Sequence, residues 1–176
     1  PLRILKIWEG GLASHGGVIG NIIAVYIYSR THKNQPFIWL ADRIIIPTAL
    51  VACFIRLGNL FNSEILGKPT DLPWGIHFSL IDREDVIFRH PSMLYESLCY
   101  LFTFIVMRIL YNKWKPNVPE GRLVGIFFIL IFSGRFLIEF SKENQVAFES
   151  GMWINMGQIL SLPFIALGVY LVIRSR

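Results

Sequence analysis

Residues 37–55 form an apolar run interrupted by charge only at Asp42 and Arg43, and that run limits what the chain can become. A helix needs roughly 20 apolar residues to cross the hydrocarbon core. In that medium the backbone must satisfy its own hydrogen bonds, so such a run spans as a helix. Comparable runs follow at 92–111, 121–140 and 156–173, and a shorter one precedes them at 15–28. The pattern predicts an all-α, polytopic membrane helix bundle of about five spans. It is read as one integral membrane domain over 1–176, with a polar outer-face loop at 57–91. There is no soluble domain, repeat or low-complexity tract.

Composition agrees and removes other classes. Of 176 residues, 53% are apolar and 16% charged, too apolar for a soluble domain of this size. The formal charge of +5 is weak evidence for a nucleic-acid partner, because basic residues beside membrane spans are expected on topological grounds. Cys53 and Cys99 fall inside apolar runs and read as small buried hydrophobes. Gly16 and Gly20 make a small-xxx-small pattern that suggests close helix packing. Within 57–91, the alternation around Trp74-Gly75-Ile76-His77-Phe78 predicts a short strand at the interface.

The loops set an orientation. Those after spans one, three and five carry Arg30 and Lys33, then Arg108, Lys113, Lys115 and Arg122, then Arg174 and Arg176. They are short and nearly free of acids, so they are expected to be cytoplasmic. The unusual polar residues then converge on the outer side. His15 lies at the outer end of span one, and Arg56 and Asn59 at the outer end of span two. Ser92, Tyr95 and Glu96 open span three, and Asn155 and Gln158 open span five. Arg135 and Glu139 lie in the outer half of span four. Counted from Gly121, Arg135 is roughly 21 Å across a core of about 30 Å.

Each of these residues has a plainer reading. Arg135 and Glu139 are four apart and could simply pair. Asp42 and Arg43 read as a structural pair. Arg56 could snorkel, and Tyr95 could belong to an aromatic belt. Yet a charge within a span costs about 2.5–3.5 kcal/mol on insertion scales, so Arg135 needs a reason. One shared site explains the set better than separate coincidences. Two arginines, a histidine, asparagines and a tyrosine at headgroup level describe a pocket for an anionic lipid head. The spacing of His and carboxylates fits no standard metal set, and no metal or cofactor is expected.

The motifs also carry a resemblance. Ser14-His15-Gly16-Gly17-Val18-Ile19-Gly20, then Arg56-Leu57-Gly58-Asn59 with Asn62-Ser63-Glu64 and Gly67, come first in order. Arg89-His90-Pro91-Ser92 with Leu94-Tyr95-Glu96 follows. Gly134-Arg135-Phe136 with Glu139-Phe140, and Met156-Gly157-Gln158 with Leu160-Ser161, complete the set. Together they resemble bacterial prolipoprotein diacylglyceryl transferase, in family order and over nearly the whole chain.

The resemblance implies transfer of the sn-1,2-diacylglyceryl group from phosphatidylglycerol to the lipobox cysteine thiol of a preprolipoprotein. The expected place is the outer face of the bacterial cytoplasmic (inner) membrane. It puts His15, Arg56, Asn59, Glu64, Gly67, Arg135 and Glu139 on positions tied to catalysis or donor binding. Of these, His15, Arg56 and Arg135 are the catalytic candidates. Asn59, Asn62, Glu64, Gly67, Ser92, Tyr95, Glu96 and Glu139 are the substrate-binding ones. The chain departs from the family at Ile131, where a Tyr is frequent. It opens at Pro1 without Met, so it is expected to be a fragment without the family's N-terminal helices and outer arm. The competing classes are a small transporter or channel subunit, which would line both leaflets with polar groups, and a non-catalytic anionic-lipid-binding protein.

Overall fold

The structure, a computed structural model, describes residues 14–143 and 154–175. Its order is α1 (Ser14–Thr31), α2 (Phe37–Phe61), β1 (Ile76–His77), β2 (Phe88–Arg89), α3 (Ser92–Trp114), α4 (Arg122–Ile138) and α5 (Met156–Arg174). A 3₁₀ turn, Glu139–Ser141, follows α4 directly. Four of these helices, α2 to α5, are long and apolar enough to cross a membrane. This is a multi-pass membrane protein. α1 forms over the expected run, but His15, Asn21 and Arg30 dilute it, and it does not reach the same apolarity.

The chain falls into two compact units, up to Ala41 and from Asp42 onward, with the boundary inside α2. In the first, α1 exposes Ile19, Ile22, Ile23 and Ile27. Its C-terminal turn is closed locally: Thr31 Oγ1 donates to the Tyr28 carbonyl at 2.9 Å, and the Tyr28 and His32 rings stack at 4.0 Å. The close packing expected at Gly16 and Gly20 is not present among the described residues of this unit. A Cβ at either position would meet nothing within 4 Å.

In the second unit, α4 packs against α5 and α3. The core joins Ile46, Ala49 and Cys53 of α2 to Tyr100 and Met107 of α3 and to Leu123, Phe127 and Ile131 of α4. Where α4 meets α5 the backbones nearly touch. A Cβ on Gly125 would lie 2.7 Å from the Gly168 carbonyl, and one on Gly168 would lie 2.7 Å from the Gly125 carbonyl. Without a hydrophobic drive inside lipid, this close approach is what holds two such helices together.

The end of the unit away from the candidate residues is sealed by capping. Asp42 is buried, and its two carboxylate oxygens accept from the amides of Gly121, at 2.6 Å, and Val124, at 2.9 Å. It caps the N-terminus of α4 from another helix. Asp42 is thus structural, as the sequence implied, although its partners are backbone amides. Arg43 lies over the Tyr111 ring at 5.9 Å. Arg122 binds the Ser175 carbonyl and hydroxyl at the C-terminal end of α5 and stacks over Trp114.

Gly168→Leu should force α4 and α5 apart, at a cost of about 1–3 kcal/mol typical of overpacking. The check is thermal unfolding in detergent, with Gly20→Ala, at an open position, as the control that changes little.

Candidate active site

α2 does not stop where its hydrophobicity does. It continues past Ile55 through Arg56, Gly58 and Asn59 to Phe61, carrying those side chains on its last turns instead of in a loop. The chain then turns through Ser63 and Ile65, both left-handed at φ 55° and 59°. That conformation is uncommon for Ser and unfavourable for a β-branched residue. Glu64 sits between them, with its carboxylate accepting from Asn59 Nδ2 and, at 3.5 Å, from Asn62 Nδ2. Arg56 Nη1 in turn donates to Asn59 Oδ1 at 3.3 Å. Arg56, Asn59, Asn62 and Glu64 therefore form one connected polar surface at the end of α2.

Beneath that surface is a chain of buried charges. Glu96 is 0% exposed, and its Oε2 lies 2.9 Å from Arg56 Nε. The N–H is not aimed at that oxygen, so charge rather than an aligned hydrogen bond holds the pair. Glu96 Oε1 takes the Lys142 ammonium at 2.8 Å, and Lys142 also binds Glu139 Oε2 at 3.1 Å. The plainer sequence reading allowed an Arg135–Glu139 pair. The structure gives Glu139 to Lys142 instead, because the helix tightens to 3₁₀ at Glu139 and brings residue i+3 alongside. The Glu139 carboxylate rests against Gly157 in the first turn of α5, where a Cβ would lie 2.6 Å from its Cδ. Anions are favoured there.

Arg135 is half-buried in the last turn of α4. Its guanidinium has no hydrogen-bond or ion-pair partner among the described residues.

A short ladder roofs this end. Lys68 N donates to Ser141 O, Glu143 N to Leu66 O, His90 N to Lys68 O and Thr70 N to Phe88 O. β1 pairs with β2 beyond, as the alternation around Ile76 predicted. Gly67 is the tight point, since a Cβ there would collide with the His90 carbonyl and lie 2.6 Å from Ser92 Oγ. Its absent side chain serves internal packing. At Gly58 a Cβ would meet nothing within 4 Å. Arg89 pins the roof, with two bonds to Asp82 at 2.7 and 2.8 Å and one to Glu143 at 2.5 Å. The hydrogen bonds from Arg89 hold the Asp82 carboxyl below the usual range, and the same bonds raise the Arg89 pKa.

The remaining candidates divide. Ser92 is buried and bonds Ser141 through its hydroxyl. Ser92 and Glu96 thus face neighbouring protein groups. Tyr95 Oη accepts from Trp74 Nε1 at 2.8 Å and lies 3.3 Å from His90 Nδ1. With Leu72, Leu137, Ile138 and Ser141, these three residues line a cavity of about 480 Å³. Asn155 and Gln158 make a reciprocal capping box on α5, and Gln158 Nε2 closes the Phe136 carbonyl of α4. His15 falls in the first turn of α1, in the other unit, and its side chain lies outside the described residues. Cys53 Sγ lies 3.1 Å from Ser97 Oγ within the core, as its apolar setting suggested. Among the described residues, no group of three His, Cys, Asp or Glu side chains could hold a metal ion.

Lys142 is the residue the sequence reading missed. It follows the last apolar stretch of span four and looks like the first residue of a polar loop. Its one signal is a carboxylate three positions before it.

The chain matches known proteins over nearly its whole length. Residues 1–174 fit the family model described as prolipoprotein diacylglyceryl transferase. A protein of Tolumonas auensis, named phosphatidylglycerol–prolipoprotein diacylglyceryl transferase, is 49% identical over 99% of this chain and 66% of its own length. Proteins with the same name from Chloroherpeton thalassium and Porphyromonas gingivalis are 46% and 45% identical, over 99% of this chain and 64% and 66% of theirs. The chain thus spans just under two thirds of the length of these relatives. No solved structure matches it. On the family match and on these identities over nearly its whole length, the chain belongs to the prolipoprotein diacylglyceryl transferase family.

Proposed function

We propose that this chain carries the transfer site of an enzyme that moves the sn-1,2-diacylglyceryl group from phosphatidylglycerol to the lipobox cysteine of a preprolipoprotein. The acceptor sulfur bonds to the glyceryl carbon, the bond from that carbon to the phosphate oxygen breaks, and glycerol 1-phosphate leaves. The thiol proton goes to a base, and His15 is the candidate that the sequence offers, because the ordinary pKa of an imidazole suits the role. A thiol has a pKa near 8.5, so a base or a positive field is needed. Arg56 and Arg135 stabilise the departing phosphate, as preorganised cations do in a water-poor site. Asn59 and Glu64 orient the glycerol head. The enzyme works at the outer face of the cytoplasmic membrane, with the basic loops inside.

The observation that carries this reading is the pattern of charge pairing. Arg56 is aimed outward through Asn59 and anchored on a buried carboxylate, while Arg135 has no anionic partner among the described residues. A site with cations in reserve suits a substrate that brings its own anion. A transport pathway would need polar groups free at the other end as well. There, Asp42 and Arg122 are occupied in closing helix ends.

Two outcomes test the proposal in vesicles, with the full-length chain. Transfer should follow the phosphatidylglycerol fraction, and equal turnover from a zwitterionic lipid as sole donor would rule the reading out. Arg135→Lys should insert and fold but lose about a hundredfold in turnover, the scale of one lost transition-state contact. Lys keeps the charge and loses the planar fork. Glu139→Gln, which leaves Arg135 in place, should be milder. If Arg135→Lys loses activity only in proportion to lost fold, the phosphate role is wrong.

A further inference from the structure

Lys142 takes no part in the chemistry above, yet it is 2% exposed and charged. Its ammonium holds one oxygen of Glu96, and Arg56 Nε lies beside the other. That second oxygen, Oε2, has no aligned hydrogen bond, so it retains capacity for another N–H. An arginine beside a carboxylate with both oxygens free closes into a fork, two parallel N–H···O bonds. Here the fork is not closed, and Lys142, 2.8 Å from Oε1, competes for the oxygen it would need. Arg56 instead extends Nη1 to Asn59, and 15% of its side-chain surface stays exposed.

We infer that Lys142 is a positioning residue for the donor phosphate. By occupying Glu96 Oε1, it keeps Arg56 from folding down onto Glu96 and leaves the outer edge of the guanidinium for the ligand. Glu139, the second partner of Lys142, fixes the ammonium from the α5 side. The inference rests on the reading that Arg56 meets the donor. It adds that Arg56 is available only because a third, buried residue competes for its carboxylate.

The test is a double-mutant cycle on the full-length chain in phosphatidylglycerol vesicles. Lys142→Met should lower kcat/KM for the donor about tenfold or more, the scale of a displaced charged hydrogen bond. Lys142→Arg, which keeps a cation on Oε1, should stay within about threefold of the parent. In a Glu96→Gln background no fork can close on a carboxylate, so adding Lys142→Met should change kcat/KM by less than about threefold. A Lys142 that only supports the fold would give losses that track the melting temperature and persist in the Glu96→Gln background. An unchanged Lys142→Met, a Lys142→Arg no better than Met, or a full loss in that background would overturn the inference. Should Lys142→Met fail to insert, the comparison of Glu96→Gln with Glu96→Gln/Lys142→Met decides alone. If the parent chain transfers nothing, the proposed function falls. Equilibrium binding of fluorescent phosphatidylglycerol to the same variants then reads this inference: the same ordering supports it, and equal binding by all of them overturns it.

Discussion

The ion chain Arg56–Glu96–Lys142–Glu139 is the interaction on which the rest of this end depends. Burying a charge is costly, and a buried pair is worth little by itself unless its remaining hydrogen-bonding capacity is met. Here two cations and two anions alternate, so no member lacks a counter-charge. The chain ties the end of α2 to the start of α3 and to the turn after α4. Through Glu139 it reaches the first turn of α5. Removing Lys142 would leave Glu96, which is 0% exposed, and Glu139 without the cation that they share. The four spanning helices of the second unit are therefore registered against one another at the level where the candidate residues lie.

Two backbone constraints serve the same purpose. The left-handed Ser63 and Ile65 turn the chain sharply after α2 and present Glu64 to Asn59 and Asn62. Residues in such conformations persist only where the surroundings over-determine them, and they cluster at functional sites. The ladder at residues 66–70, locked by Gly67 against His90, then carries the chain from the end of α2 to the roof pinned by Arg89. At the opposite end the constraints are ordinary caps, Asp42 on α4 and Arg122 on α5. One end is spent on closing helices, and the other holds charge in reserve.

Much of this was legible in the sequence, for physical reasons. Apolar runs announce spanning helices because lipid leaves the backbone no alternative. The polar residues at helix ends could be sorted to one side because the spans alternate in direction. What stayed hidden was which groups they face. The outer loop is expected to begin at Leu57 because hydrophobicity ends at Ile55, but main-chain hydrogen bonding continues to Phe61 whatever the side chains are. α-Helical spacing allowed an Arg135–Glu139 pair as the plainer reading, but the chain narrows to a 3₁₀ turn at Glu139, whose partner is Lys142. Glu96 and Ser92 looked ligand-facing because a sequence does not distinguish a polar group aimed at substrate from one aimed at a neighbouring helix. Lys142 was invisible for the same reason: its partners come from 46 and 3 residues away, and the contact with Glu96 is the one that sequence spacing does not reveal.

The role proposed for Arg56 and Arg135 is to serve the cleavage of a glyceryl–phosphate bond by an outside thiol. Its most direct measurement is mass spectrometry of a lipobox peptide incubated with the purified full-length chain and phosphatidylglycerol. A diacylglyceryl adduct is expected on the peptide cysteine, with one glycerol 1-phosphate released for each adduct. An unmodified peptide beside bound phosphatidylglycerol would mean a lipid-binding protein without turnover. An adduct that retains phosphate would place the broken bond elsewhere. Either result contradicts the account.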